Sequence, residues 1–431
     1  MPGEEQRKDL PRLWRALDNR DYRRFFIGQG VSAIGTWTQN IAMSWLVFQL
    51  TGSGWMLGII AFLSQIPNFF LSPVAGVLVD RWPKRRVLLT TQALSLLQAG
   101  VLTALTLTGL LATWHILALS LLLGCINAFD VPARHAITAE LVANKDDKTN
   151  AIALNSISYN IARFAGPSLA GLLIPLVGEG LCFLLNTAGY LLALLSLWSL
   201  RPRVPTSPRQ RESFIESFKQ GYEYTFGQFP LKLVLGLLAV VSLMGTPYIV
   251  LLPMYVVQNL HAGADRLGLL MAMSGLGSLA GAIFLAARAE FQGLEKLLAA
   301  AAALIGLGMA LLAYTDAVHS ALAAMFLLGL GLIFAVVGSS TLLQCMVDDA
   351  LRARVMSFYT MTFMGIGPVG SLLAGGLAQS VGTTYTLLAG GLACLCGAAY
   401  FFAHLSAFRV QACPIYVNSG NLDSVEQCKF R

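Results

Sequence analysis

The apolar residues of this chain come in long runs separated by short polar breaks. Twelve stretches reach roughly the 20 residues that a helix needs to cross a bilayer: 25–50, 54–79, 87–110, 113–135, 152–177, 180–200, 232–257, 266–287, 294–314, 319–344, 355–380 and 384–407. A helix satisfies its own backbone donors and acceptors, as hydrocarbon requires. The short alternating segments of a membrane β-barrel are not seen. The pattern predicts an all-α membrane protein. Its one long break, 201–231, opens with Arg201-Pro202-Arg203-Val204-Pro205, which stops a helix. Within it, residues 212–228 set Phe214, Ile215, Phe218, Tyr222 and Phe226 on one side of a helix suited to the membrane surface. The chain therefore divides into a segment 1–24, six spans in 25–200, the loop 201–231, six spans in 232–407 and a tail 408–431.

The two sets of spans look related. Gly166-Pro167 and Gly367-Pro368 are 201 residues apart, as are Ser156 and Ser357, while Asp146-Asp147 and Asp348-Asp349 are 202 apart. Parallel six-helix repeats are one way to build an alternating-access transporter, with its substrate site between the halves near the midplane. The expected fold is twelve transmembrane helices in two pseudo-symmetric six-helix bundles.

Composition supports lipid as the main solvent: 56% of the 431 residues are hydrophobic and 12% charged, against about 25% charged in soluble domains. The net charge of +7 invites a nucleic-acid partner, but 27 of the 29 basic residues fall in segments that alternate to one side of the membrane. The other two are Arg163, inside a span, and Arg266, at the mouth of one. That bias places both termini in the cytoplasm. The first span lacks a cleavage site and is expected to stay. Five cysteines, Cys125, Cys182, Cys345, Cys394 and Cys396, lie in spans; Cys413 and Cys428 lie in the tail, where a cytoplasmic thiol stays reduced. No disulfide is expected.

Other chemistries find little support. There is no Gly-Lys dipeptide and so no phosphate loop. Asp147-Lys148-Thr149 lacks the following glycine of phosphorylated pumps, and the five histidines are scattered without a metal-ligand pair. Neither a metal nor a cofactor is expected. An enzyme would need clustered acids or histidines in the spans, and a receptor a larger soluble domain.

After the second span comes Gly76-Val77-Leu78-Val79-Asp80-Arg81-Trp82-Pro83-Lys84-Arg85-Arg86. It resembles the signature loop of the major facilitator superfamily, Gly-x-x-x-Asp-Arg-x-Gly-Arg-Arg, with Pro83 for glycine and Lys84 for arginine. Gly76 suits close helix approach, Asp80 suits a neighbouring helix N-terminus, and the cations suit carboxylates across a cytoplasmic gate. Span 5 carries Ala162-Arg163-Phe164-Ala165-Gly166-Pro167-Ser168-Leu169-Ala170-Gly171, similar to the glycine–proline motif of the family's exporters. Proline in a helix interior removes a hydrogen bond and kinks the helix, so Gly166, Pro167, Gly171, Gly367 and Pro368 are expected at a rocking interface. Arg24-Phe25-Phe26, Gly35-Thr36-Trp37, Trp45 to Gly52, Asp130 to Arg134 and Ala153 to Ser156 resemble the secretion-type, enterobactin exporter-like branch.

Two ionisable groups inside spans carry the remaining argument. A cation near mid-span faces a cavity or a partner, so Arg163 is a candidate for an anionic substrate, a carboxylate or backbone carbonyls. Asp130 is the acid read within a span. Its candidate partners are Lys84, Arg85, Arg134 and Arg163, as a gate, and by elimination it is also the candidate proton carrier. Polar residues of span 1, Gln29, Ser32, Thr36, Gln39 and Asn40, fall on one helical face, and Asn155, Tyr159 and Arg163 do so in span 5. Thr36, Gln39, Asn40, Asn155 and Tyr159 are the further cavity candidates, with packing as the competing role. The resemblance implies a monomeric secondary transporter of a bacterial inner membrane. It would export a small amphipathic or anionic molecule of the drug or siderophore class, with protons as the coupling ion and lipid as its surroundings. Uptake and lipid movement by the same fold stay open.

Overall fold

The computed structural model describes residues 12–142, 145–200, 214–288, 293–347 and 349–418. A 3-10 turn, Arg12–Asp18, leads into α1 (Arg20–Thr51), then α2 (Gly54–Arg81), α3 (Lys84–Leu107), α4 (Thr113–Leu141), α5 (Lys145–Val177) and α6 (Glu179–Trp198). A connecting helix α7 (Phe214–Gly227) follows. In the second half, α8 (Phe229–Val240) and α9 (Tyr248–Gln258) form one span through a π-helical turn at Val241–Gly245. α10 (Ala264–Ala287), α11 (Leu294–Tyr314) and α12 (Val318–Met346) come next. α13 (Asp349–Thr360) and α14 (Ile366–Val381) form another span through a second π-helical turn, Met361–Gly365. α15 (Thr383–Ala403) and α16 (Leu405–Asn418) end the described chain.

Local chemistry sets these ends. The Asn19 side chain accepts from the amides of Asp21 and Tyr22 and so caps α1. Gly52, at φ +59°, turns the chain out of α1, and Ser53 caps α2. Among the described residues, eleven helical segments are long and apolar enough to cross a membrane. α1 falls outside that set although it has 32 residues. Its Gln29, Ser32, Thr38 and Gln39 are buried inside the first bundle and lower its hydropathy without meeting lipid. The helices agree with the expected all-α membrane fold and are consistent with twelve spans.

Within the first half, α1 packs on α5 and α6, α2 on α4, and α3 on α4 and α6; within the second, α11 and α10 pack on α12 and α11 on α15. The most extensive contacts between the halves are α2 with α14 and α5 with α10, with smaller ones from α1 and α2 to α9, from α1 to α10 and from α2 to the Met361–Gly365 turn. The connecting helix does not rest on lipid alone. Tyr222 and Phe226 stack on each other with centroids 4.7 Å apart and close on Phe358 of α13 at 6.3 and 5.8 Å. Of its other expected apolar residues, Phe214, Ile215 and Phe218, the side chains lie outside the described residues.

The tail also departs from expectation. α16 buries Phe408, Ala412 and Cys413, and Arg409 donates to the buried Glu295 carboxylate at 2.8 and 3.1 Å. Cys413 is disulfide-bonded, where a reduced thiol was expected. That expectation rested on compartment alone, which does not determine whether the fold can bring two thiols together. The partner lies outside the described residues.

Candidate functional site

The contacts between halves lie at the end of the bundle away from the chain termini. Pro167 has no amide for the Arg163 carbonyl four residues back. That carbonyl instead faces α10 at Gly275, where a Cβ would sit 3.0 Å away. At Gly268 a Cβ would stand 2.4 Å from the Gly171 Cα and 2.7 Å from the Pro167 carbonyl. On the other side, a Cβ at Gly58 would lie 2.8 Å from the Ser371 carbonyl, and one at Gly375 2.5 Å from the Gly54 carbonyl. The Gly54 amide donates to Gln379 at 2.9 Å. Only glycine permits such backbone approach, and dispersion between the close helices holds the seams.

Toward the terminus end both pairs part. A Cβ at Gly76 would meet nothing within 4 Å, so the close approach expected there is absent in this conformation. Met364 shares a stripe of its helix with Pro368, Ser371 and Gly375, yet it is 43% exposed where those are buried. Tyr159 is 56% exposed. The molecule therefore encloses a cleft between its halves, shut at the far end and open toward the termini.

Arg163 stands on this cleft, on the side of α5 opposite the lipid-facing Ile161, Leu169, Leu172 and Leu176. Its guanidinium carbon is 5.7 Å from the Trp37 ring centroid, and Trp37 meets Tyr159 edge-on at 5.9 Å. In the second half the buried Tyr248 has its hydroxyl 3.1 Å from the Ser274 hydroxyl and feels the charge of Arg163. No carboxylate pairs with Arg163 among the described residues. Two further polar residues were missed from sequence: Gln65 and Asn68 continue the Gly54–Gly58 stripe of α2 inward at helical spacing. Their signal was that spacing, legible only once α14 was known to face it. The opposing stripe of α10 continues from Gly268 and Gly275 as Leu279, Ala282 and Ala286.

Asp130 lies elsewhere, 2% exposed between α3 and α4. One carboxylate oxygen accepts from Thr91 and Gln92, both at 2.8 Å, and the other from Arg134. Of its four candidate partners only Arg134 is brought to it. Lys84 is 3.8 Å from Glu140 instead. Arg85 donates to the Leu197 and Trp198 carbonyls at 3.1 and 2.7 Å, capping the end of α6. Arg81 is exposed, and the Asp80 side chain lies outside the described residues. The bonds of Asp130, Arg134 and Arg85 stay within the first half in this conformation.

The other candidates separate in the same way. Thr36 is 3.4 Å from both Asn186 and Tyr190, and Gln39 accepts from Asn186 at 2.8 Å, all inside the first bundle. Asn155 bonds Tyr22 and Thr138 there as well, while Asn40 is exposed. Gly171 and Pro167 sit on the seam between halves. Gly166 instead packs on Trp37 and Thr38 of its own half, and Gly367 approaches Ser242 of its own.

Comparison with known proteins agrees with this architecture. The transmembrane secretion effector family matches residues 13–414. The staphyloferrin A transporter of Staphylococcus aureus is 25% identical over 354 residues, covering 81% of this chain and 87% of that protein. The enterobactin exporter EntS of Citrobacter koseri is 26% identical over 376 residues, 83% and 85% of the two chains. Among solved structures, an inward-facing, unoccupied bacterial homologue of the lysosomal transporter Spinster aligns with a TM-score of 0.67 at 14% identity, over 95% of this chain and 99% of that one. An inward-facing bacterial homologue of the iron transporter ferroportin gives 0.68 at 18% identity, over 89% and 98%. The chain belongs to the transmembrane secretion effector family of the major facilitator superfamily and is a multi-pass membrane transporter, not an enzyme.

Proposed function

We propose that this protein is a secondary active exporter that carries a small anionic molecule of the siderophore class out of the cytoplasm. The observation that carries the reading is Arg163, a cation at the cleft with an aromatic partner and no carboxylate among the described residues. A cation within a membrane span without an anion is costly, and an anionic substrate would supply one. The exporter and siderophore names of the relatives support the same class. On this reading both termini and the 201–231 loop are cytoplasmic, the protein sits in the inner membrane as a monomer, and the open cleft is its inward-facing state. The substrate enters between Arg163 and the apolar wall of α10. The halves then rock on their glycine seams, close at the terminus end and open at the far end.

Proton motive force is the proposed drive. Because three donors converge on Asp130, its role is to hold α3 and α4 together and to neutralise Arg134, rather than to shuttle a proton. Protons then enter as the anion leaves, and the membrane potential, negative inside, favours the same outward movement of the anion. Inside-out vesicles with an imposed pH gradient test the reading: a siderophore-class anion should accumulate only with the gradient. Gradient-independent accumulation would remove the coupling, and accumulation of neutral compounds alone would remove the substrate class. Reporter fusions at Ser207 and Thr383 should report opposite sides of the membrane.

A further inference from the structure

A second polar recess lies outside the cleft, at the terminus end of the first half where α1 and α6 meet. It is a crevice of about 320 Å³ lined by Asn19, Arg20, Asp21, Arg24 and Ser199. Above it the seam is shut: a Cβ at Gly28 would stand 2.4 Å from the Ser196 hydroxyl. Arg20 and Arg24 are one turn apart on α1, and neither makes a hydrogen bond or an ion pair with a described residue. Asp21 is likewise unpaired, so the lining carries a net single positive charge. Arg85, held on the Leu197 and Trp198 carbonyls next to Ser199, adds a further cation at its edge. The amides at the start of α1 are not part of the recess chemistry, because the Asn19 side chain already occupies them.

Two further features say what fits. Trp198 is 73% exposed and Trp82 49% exposed at this same end, and exposed tryptophans mark the headgroup level of a bilayer. From the crevice, two apolar stripes run toward the membrane centre. On α1, Arg24 is followed at helical spacing by Ile27 (58% exposed) and Val31 (41%). On α6, Ser199 is preceded by Leu195 (57%) and Leu192 (48%). A cationic recess at headgroup depth, flanked by two exposed apolar tracks, matches a molecule with an anionic head and acyl chains.

We propose that the α1–α6 crevice binds an anionic phospholipid, its phosphodiester between Arg20, Arg24 and Ser199 and its chains along Ile27–Val31 and Leu192–Leu195. Each arginine adds an attraction to anionic headgroups and the acyl tracks hold the lipid in place. The site is independent of the direction and substrate of transport.

The test is native mass spectrometry of the full-length protein in detergent with phosphatidylglycerol, phosphatidylcholine or inorganic phosphate added. The wild type should retain phosphatidylglycerol over phosphatidylcholine by about tenfold or more. Millimolar phosphate should not displace it. Arg20→Ala with Arg24→Ala should abolish the preference, while Arg20→Lys with Arg24→Lys should keep most of it, which separates charge from misfolding. Leu195→Ser, which leaves the cations intact, should weaken retention of phosphatidylglycerol without changing the headgroup order. Equal retention of both lipids by the wild type, or an unchanged preference in the alanine pair, overturns the proposal. Displacement by phosphate alone overturns it too, because the recess would then be an anion site without the acyl tracks.

Discussion

In the first half, the cleft-facing position of the fifth span is Arg163; 201 residues later, at the matching position of the second half, stands Met364. The same contrast extends along the walls. Gln65, Asn68 and Tyr159 belong to the first half, whereas Leu279, Ala282, Ala286 and Met364 belong to the second. Backbone devices show the reverse. The helices of the first half run regularly past their glycine–proline step, with Thr38 donating to the Gly166 carbonyl at 3.2 Å. In the second half the matching hydroxyl, Ser242, donates to the Phe363 carbonyl at 2.7 Å, and both helices there are opened into π-helical turns. Such turns leave carbonyls that need a new donor. One half thus holds polar recognition on regular helices, and the other an apolar, adaptable wall on irregular ones. A repeat fixes where helices lie; it does not fix which wall binds charge.

The sharpest way to break this contrast is Asp130→Asn. Arg134 would lose its counter-charge, and the cost should be roughly 2–3 kcal/mol, less than for a fully buried pair because Arg134 is partly exposed. Thermal unfolding in detergent should show that loss, and gradient-driven transport and exchange should fall together. A mutant that keeps exchange but loses only the gradient-driven part would restore Asp130 as proton carrier.

Gly268→Leu comes next. The larger side chain cannot fit against Gly171, so the closed far end should be disfavoured by about 1–3 kcal/mol, roughly a 5- to 150-fold shift in the balance. Alkylation of a cysteine placed at Ser371, which is buried on the α2–α14 seam, should speed up accordingly. Unchanged labelling would mean the seam does not form. The exchange Arg163→Met with Met364→Arg tests the walls directly. It keeps the composition of the cleft but moves the cation away from Trp37 and Tyr159, so anion transport should stay lost. Recovery would show that only total charge matters. The smallest effects belong to the two hydroxyl caps: Thr38→Val and Ser242→Ala should each cost about 0.6 kcal/mol in stability, as interhelical hydrogen bonds in membranes do.

Much of the fold was legible because lipid constrains sequence so strongly. Twenty apolar residues between polar breaks leave a helix as the main option, and the repeat at Gly166-Pro167 paired the halves. The site was legible only in part. Arg163 stood out because a mid-span cation is rare. The α-helical period could not tell that Thr36, Gln39 and Asn155 satisfy one another inside a bundle while Gln65 and Asn68 face the cleft. All of these are polar residues at spacings of 3 and 4, and only the neighbouring helix separates the cases. The partner of Asp130 was undecided for the same reason: Lys84, Arg85 and Arg134 are all near in sequence terms, but Glu140 and the α6 carbonyls took the first two.

The central claim is that the cleft binds its substrate through the Arg163 cation. Initial transport rates in vesicles, compared for wild type and Arg163→Gln with one anionic and one neutral compound of similar size, test it most directly. Loss of a charge-assisted hydrogen bond of about 1.5–3 kcal/mol predicts a fall in kcat/KM of roughly 10- to 150-fold for the anion, with the neutral compound changed by less than about twofold. Equal losses for both compounds would contradict the account and leave Arg163 as a packing residue between α1 and α5.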